Sequence, residues 1–321
     1  MRPASAPARA IAWTLHSCFA AARPEGRAVA RFVERVEADA AGALKITVRW
    51  FGGSGVPDME MLRVVPGNTR LQLATFYSEY LSRDAPELAL AYVQGVLDSP
   101  AAHWRALPVV CGLYDEVLRR WGVRPLAALA RPVYEVCLFA PEPVTSLAAL
   151  KGRPLRVWSA HQVKTFRRLG LEARVVPQNR MVEAMRRGTV ACALYMAEAA
   201  AAAPELAQLA PHMSAVHPFS AIPNVIGVSE AAWAELPEAL KEVVVDAGAW
   251  IAWTSLSESR AATTGADPAG FQRAPAFPEE DRALIRAAAH EAWAEMAAAA
   301  GPAAVLNRQR VLAALNVPVP A

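Results

Sequence analysis

The chain is 321 residues long, 54% hydrophobic and 20% charged, which excludes a disordered protein and gives enough length for one large domain or two lobes. Its 33 basic and 30 acidic residues leave a net charge of +3; they are interspersed, without the basic stripe or interleaved aromatics of a nucleic-acid binder. The apolar runs are broken by charge or proline short of the roughly 20 residues that span a bilayer, so a soluble globular protein is expected.

Arg2 and Arg9 followed by AIAWTLHSCFAAA imitate a short signal peptide, but His16 interrupts the apolar stretch. The preferred reading is a first strand, RAIAWTLHS, because its removal leaves the next helix without a partner. Gly26–Ala41 sets Val29, Phe32, Val33 and Val36 on one helical face, and Leu44–Trp50 alternates as a half-buried strand. The loop FGGSGVPD leads into a short helix begun by Pro57, then the strand TRLQLATF and an Ala- and Leu-rich helical region. This order implies a parallel, doubly wound α/β arrangement.

The pattern restarts after Gly122. Val133–Phe139 reads as a strand, LKGRPLRVWSA contains another, His161–Leu169 is a helix and Ala173–Val176 a strand. Asn179 is expected to cap the helix Arg180–Arg187, which Gly188 ends, with a strand at Val190–Met196 and a plain helix over Ala197–Ala203. From Ser229 the sequence turns helical through Leu236–Pro237 and beyond, and a final helix is expected at Glu279–Ala299.

The chemical candidates are few. Cys18, Cys111, Cys137 and Cys192 lie far apart with no CxxC spacing, which argues against zinc and redox sites; a Cys137–Cys192 disulfide is left open by spacing alone. The GGSG loop at Gly52–Gly55 lacks both the Gly-Lys-Ser/Thr ending and the Gly-x-Gly-x-x-Gly spacing, so it is a turn rather than a nucleotide site, though its amides suit a carboxylate. Ser54 has no Gly-x-Ser-x-Gly elbow, and none of the six histidines stands in a recognisable relation to it. His212 and His217 lack a third metal ligand and read as loop residues. Trp13, Phe76, Tyr77, Tyr134, Trp158 and Tyr195 lie near strand ends, where ligands bind in such sheets. Arg156, amid Leu155, Val157 and Trp158, is the leading functional residue, because a guanidinium cannot discard its charge and grips a carboxylate bidentately. A salt bridge to Glu135 or Glu183 is the structural alternative. No catalytic set, metal site or cofactor site is read from the chain.

Four segments carry a resemblance: WFGGSG-V-PDMEMLRVVPGNTRLQLATF, PVTSLAALKGRPLRVW, LGLEARVVPQNRMVEAMRRGTV and VIGVSEAAWAELPEALKEVVVDAG. In order and spacing they resemble the solute-binding proteins of tripartite ATP-independent periplasmic (TRAP) transporters, of the dicarboxylate-binding DctP type, over nearly the whole chain. The resemblance implies a two-lobed periplasmic-binding-protein fold, each lobe a doubly wound sheet flanked by helices, with a long connecting helix. Lobe I is expected at 1–124 plus 216–250 and lobe II at 125–215 plus 251–321.

It further implies a binding protein without catalytic activity, closing on a small organic acid whose carboxylate meets Arg156. Trp158, Tyr195, Trp13, Thr75, Asn224 and Asp58, with the loop residues Gly53 and Ser54, complete the expected ligand set. The second arginine of sialic-acid-binding relatives would fall at Val136 or Glu135 and is missing, which points to a smaller or more apolar acid. Expected partners are the carboxylate, the membrane subunits of a TRAP transporter and, at most, a second copy of the chain; expected location is the periplasm. The alternative is a non-exported ligand sensor that signals to a protein partner.

Overall fold

The computed structural model describes residues 10–97, 99–131, 134–201, 203–220, 222–262 and 267–315; the charged N-terminal start lies outside them. Its strands are β1 (Ile11–Ser17), β2 (Leu44–Trp50), β3 (Leu73–Tyr77), β4 (Val123–Leu129), β5 (Tyr134–Ala140), β6 (Leu155–Val157), β7 (Ala173–Val175), β8 (Cys192–Met196), β9 (His212–Ser220), β10 (Asn224–Ser229) and β11 (Gln272–Arg273). The chain divides into two compact units, one of Met1–Asp84, Tyr114–Ala130 and Pro223–Glu258, the other of Ala85–Leu113, Arg131–Ile222 and Ser259–Ala321.

The first unit holds a sheet of order β2-β1-β3-β10-β4. β1 pairs in parallel with β2 and β3, while β10 runs antiparallel to both β3 and β4. The amphipathic helix Pro24–Asp39 buries Val29, Phe32, Val33 and Val36 against Leu15, Leu44, Ile46 and Leu73. The helix Glu238–Ala261 adds Val244, Ala247 and Ile251 to the same core. It approaches β4 closely at Gly248, where a Cβ atom would stand 2.5 Å from the Leu126 carbonyl oxygen.

The second unit holds a sheet of order β11-β9-β5-β8-β6-β7. β6 is parallel to β7 and β8, and β5 is antiparallel to β8 and β9. The helix Ala160–Arg168, capped by the Ser159 hydroxyl accepting from Gln162 N, buries Phe166 in this core. It is held to the helix Glu279–Ala300 by His161 Nε2 and the Ala289 carbonyl at 2.9 Å and by Arg168 with Glu291.

The α/β character with helix-flanked sheets matches the expectation, but the sheets are mixed rather than wholly parallel. In each, an antiparallel strand enters from a distant part of the sequence: β10 beside β3, and β5 beside β8. Residues 85–113 sit in the second unit and 125–130 in the first, unlike the boundaries expected at 124, 215 and 250. Leu90 and Glu87 give their carbonyls to Trp293 Nε1 and Asn307 Nδ2, which ties that segment to the C-terminal helices. Residue 130 keeps its amide on Ser255 Oγ, inside the first unit.

Local details differ too. Asn179 lies within a 3₁₀ turn, Gln178–Arg180, and the following helix Met181–Arg186 has no side-chain cap. Among the described residues the Ala-rich run is helical over Ala197–Ala200. A further helix, Pro302–Leu315, follows Gly301. All four cysteines are free thiols. Cys137 stands opposite Tyr195 in the β5·β8 ladder, three residues along from Cys192 and beyond disulfide reach. Burial raises the Cys192 thiol to about 11, and none of the four is placed to act as a thiolate nucleophile.

Candidate functional site

In the second unit, β6 sends Arg156 into the interior, 1% exposed. Its Nε donates to the Val176 carbonyl at 2.9 Å and its Nη1 to the Leu194 carbonyl at 2.7 Å. The expected structural rivals are engaged elsewhere, Glu135 with Arg273 and Glu183 with Arg186 and Arg187. Aromatic faces close on the cation: its Cζ lies 5.6 Å from the Trp158 ring centre and 6.0 Å from that of Tyr195. Such stacking stabilises a desolvated guanidinium without withdrawing its N–H groups.

The aromatic walls are themselves fixed. Trp158 N donates to Gln162 Oε1 at 3.1 Å, and Gln178 Nε2 donates to the Tyr195 hydroxyl at 2.6 Å. Arg156, Trp158 and Tyr195 are thus brought together at the carboxyl ends of β6 and β8, the side of a parallel sheet where ligands bind. Val136, at the place of the missing second arginine, is fully buried in the core. Tyr134's side chain lies outside the described residues.

The first unit presents a different constellation. β1 and β3 are parallel, so Ser17 and Tyr77 end on one edge of the sheet, and the antiparallel β10 begins there with Asn224 opposite Tyr77. Asn224 is fully buried, and neither its Oδ1 nor its Nδ2 has a hydrogen-bond partner among the described residues. Thr75 is engaged with Cys18: its Oγ1 accepts from Cys18 N at 3.0 Å and donates to Cys18 Sγ at 3.3 Å. Burial, and then the nearby Asp58 carboxylate, push the Cys18 thiol well above its ordinary range.

Trp13 does not reach this edge. It is the third residue of β1, pairs with Ile46 and belongs to the hydrophobic core.

The glycine-rich turn is where the structure departs most from sequence expectation. Phe51, Gly52 and Gly55 take positive φ values of 45°, 85° and 70°, bending the loop back over the end of β1. Gly53 N donates to the Trp50 carbonyl and Gly55 N to the Gly52 carbonyl, so these two amides serve the turn itself rather than an anion. Contrary to the expectation that no histidine relates to Ser54, His16 is bonded to it. His16 Nδ1 lies 2.7 Å from Ser54 Oγ and Nε2 lies 2.7 Å from Asp58 Oδ1, with the imidazole fully buried.

This Ser-His-Asp chain is not a hydrolase triad. The hydroxyl meets Nδ1 and the carboxylate meets Nε2, the reverse of the usual polarity, and Ser54 Oγ accepts from Val56 N. The engaged amides of Gly53 and Gly55 offer no oxyanion hole. His16, Gln162 and Gln178 are the polar residues that sequence reasoning passed over. Only His16 left a trace, as a histidine that interrupts the apolar stretch near the start of the chain.

Among solved structures the chain is similar to the Bordetella pertussis extracytoplasmic solute receptor DctP7, which binds pyroglutamic acid, with a TM-score of 0.80 at 19% identity over 96% of this chain and 100% of that one. It is also similar to a TRAP periplasmic solute-binding protein from Ralstonia eutropha with bound (S)-2-acetolactate (TM-score 0.81, 17% identity, 95% and 98% covered). A TRAP periplasmic solute-binding protein from Rhodoferax ferrireducens with bound malonate gives 0.77 at 16% identity, over 94% and 98%. At such identities the likeness establishes the fold. Comparison with curated protein sequences finds no match. The family model for bacterial extracellular solute-binding protein, family 7, matches residues 16–300, and the chain belongs to that family, DctP.

Proposed function

We propose that the protein is the solute receptor of a TRAP transporter, capturing a small organic acid by its carboxylate in the periplasm and delivering it to the transporter's membrane subunits. The observation that carries this reading is Arg156, a buried cation braced by two main-chain carbonyls and walled by Trp158 and Tyr195. A fixed guanidinium fork adds orientation as well as attraction to carboxylate binding. The size of the acid fits the same picture: a buried Val136 stands where a second arginine of sialic-acid-binding relatives would fall, and relatives of this fold are described with pyroglutamate, acetolactate and malonate.

In the first unit, Asp58, Thr75, Asn224 and Ser54 stand at the carboxyl edge and are the proposed contacts to the remainder of the ligand. Trp13 supports them from the core, and Gly53 contributes through the turn it closes.

Isothermal titration with a panel of small mono- and dicarboxylates tests the proposal. At least one acid binds the wild type, and Arg156→Ala weakens it by roughly 100-fold or more, about 3 kcal/mol. Arg156→Lys recovers only part of that, since a point charge does not reproduce the fork. Circular dichroism on each variant separates lost binding from lost fold. A panel without any binder, or a folded Arg156→Ala protein with unchanged affinity, overturns the reading.

A further inference from the structure

We propose that the Ser54–His16–Asp58 chain is a specificity element. It holds the Asp58 carboxylate as a fixed acceptor that favours small acids carrying an N–H or O–H donor over acids that lack one or carry a second carboxylate. The inference rests on the carboxylate-capture reading and extends it to the rest of the ligand.

An unmade hydrogen bond in the interior is costly; among the described residues the buried His217 has a partner on neither nitrogen, whereas His16 has one on each. Both partners of His16 come from one turn. On one side is Ser54, whose Oγ accepts from Val56 N at 3.1 Å; with the Nε2 hydrogen of a neutral imidazole directed at the Asp58 carboxylate, Nδ1 is the acceptor and the Ser54 hydroxyl donates to it. On the other is Asp58, which accepts from Nε2. The hydrogen bonds thus run in one direction, Val56 N–H to Ser54, Ser54 O–H to His16, His16 N–H to Asp58, and end on a carboxylate.

That carboxylate is open to visitors. The Asp58 side chain is 38% exposed while His16 is at 0%, and it begins the 3₁₀ turn Asp58–Glu60 directly after Pro57, with its place set by the turn and by His16. Its bond to His16 ties it to the end of β1, and the residue that follows that strand, Cys18, is bonded to Thr75.

An ionised carboxylate has only acceptor sites. It welcomes a lactam N–H, a hydroxyl or an ammonium, is indifferent to a methyl group, and repels another carboxylate, which adds discrimination by rejection. A histidine kept only to hold the turn needs a partner on Nε2 but not one with an exposed anionic oxygen. The holding role and the reading role therefore predict different things.

The test is calorimetry on the full chain with matched probes: lactate against 2-methoxypropionate, pyroglutamate against its lactone counterpart, and malonate. The wild type is expected to favour the donor-bearing member of at least one pair by roughly tenfold. Asp58→Asn narrows the ratio to about threefold or less and improves malonate binding. His16→Gln, which keeps an amide donor toward Asp58, retains more of the discrimination than His16→Leu, even where both lower the melting temperature alike.

Equal binding of both members of every pair, with both abolished by Arg156→Ala, overturns this inference and leaves carboxylate capture standing. Undiminished discrimination in Asp58→Asn overturns it as well. Failure of every acid to bind the wild type removes both readings. Should Asp58→Asn not fold, the wild-type ratios and the two His16 variants decide.

Discussion

Tyr195 shows how single side chains divide their duties. Its hydroxyl accepts from Gln178 Nε2, while its ring lies along the Arg156 guanidinium. Tyr195→Phe removes the first and keeps the second, so it is expected to cost about 1 kcal/mol in urea denaturation and to change carboxylate affinity by less than about threefold. Tyr195→Ala removes both and weakens ligand binding as well, by calorimetry. Arg156 was legible in the sequence because a permanent cation between Leu155 and Val157 contradicts its own strand. The His16 chain was not, since His16 and Ser54 are 38 residues apart and His16 and Asp58 are 42 apart. Their meeting depends on the parallel pairing of β1 with β2 and on the positive φ values of the turn that follows. Neither leaves a local pattern.

Periodicity was sufficient for elements whose two faces differ. The helix Pro24–Asp39 and the alternating strand β2 bury the residues their spacing selects. It failed for Pro302–Leu315, where Leu306 stands 56% exposed while Ala304 and Asn307 are buried, so the apolar residues do not mark the inner face. The strand order was also beyond reach, because β10 finds β3 across roughly 150 residues and only the folded sheet shows that it runs antiparallel. The approach of the helix Glu238–Ala261 to β4 gives a test at this scale. Gly248→Ala would set its methyl group 2.5 Å from the Leu126 carbonyl oxygen, a main-chain atom that cannot rotate away. Thermal or chemical denaturation should show a loss of about 1–3 kcal/mol, against a gain of up to about 1 kcal/mol if helix propensity alone decided. Because the contact lies within the first unit, Arg156 and its aromatic walls should be unaffected.

The three histidines that burial holds near 4, His103, His161 and His217, all belong to the second unit. Desolvation is the leading cause for each, aided by Arg131 beside His103, His290 beside His161, and His161 and Arg286 beside His217. A folded-state pKa below the unfolded value of 6.5 means that the folded form resists protonation, so the stability tied to it is complete above pH 6.5 and declines as pH falls toward 4. Each contributes on the order of 3 kcal/mol at most. Hydrogen exchange at pH 4.5 should therefore show β5, β8 and β9 losing protection before β1, β2 and β3, and simultaneous loss would refute the assignment. The Arg156 anchor lies in this more acid-sensitive unit. Its two braces, however, are carbonyls of the main chain, which no substitution can delete. Asp58, which belongs to the other unit, can change in a descendant without disturbing how the guanidinium is held. On the proposed reading, the grip on the acid group is thereby separated from the choice of what is attached to it, and a lineage can exchange one nutrient for another while its point of capture stays the same.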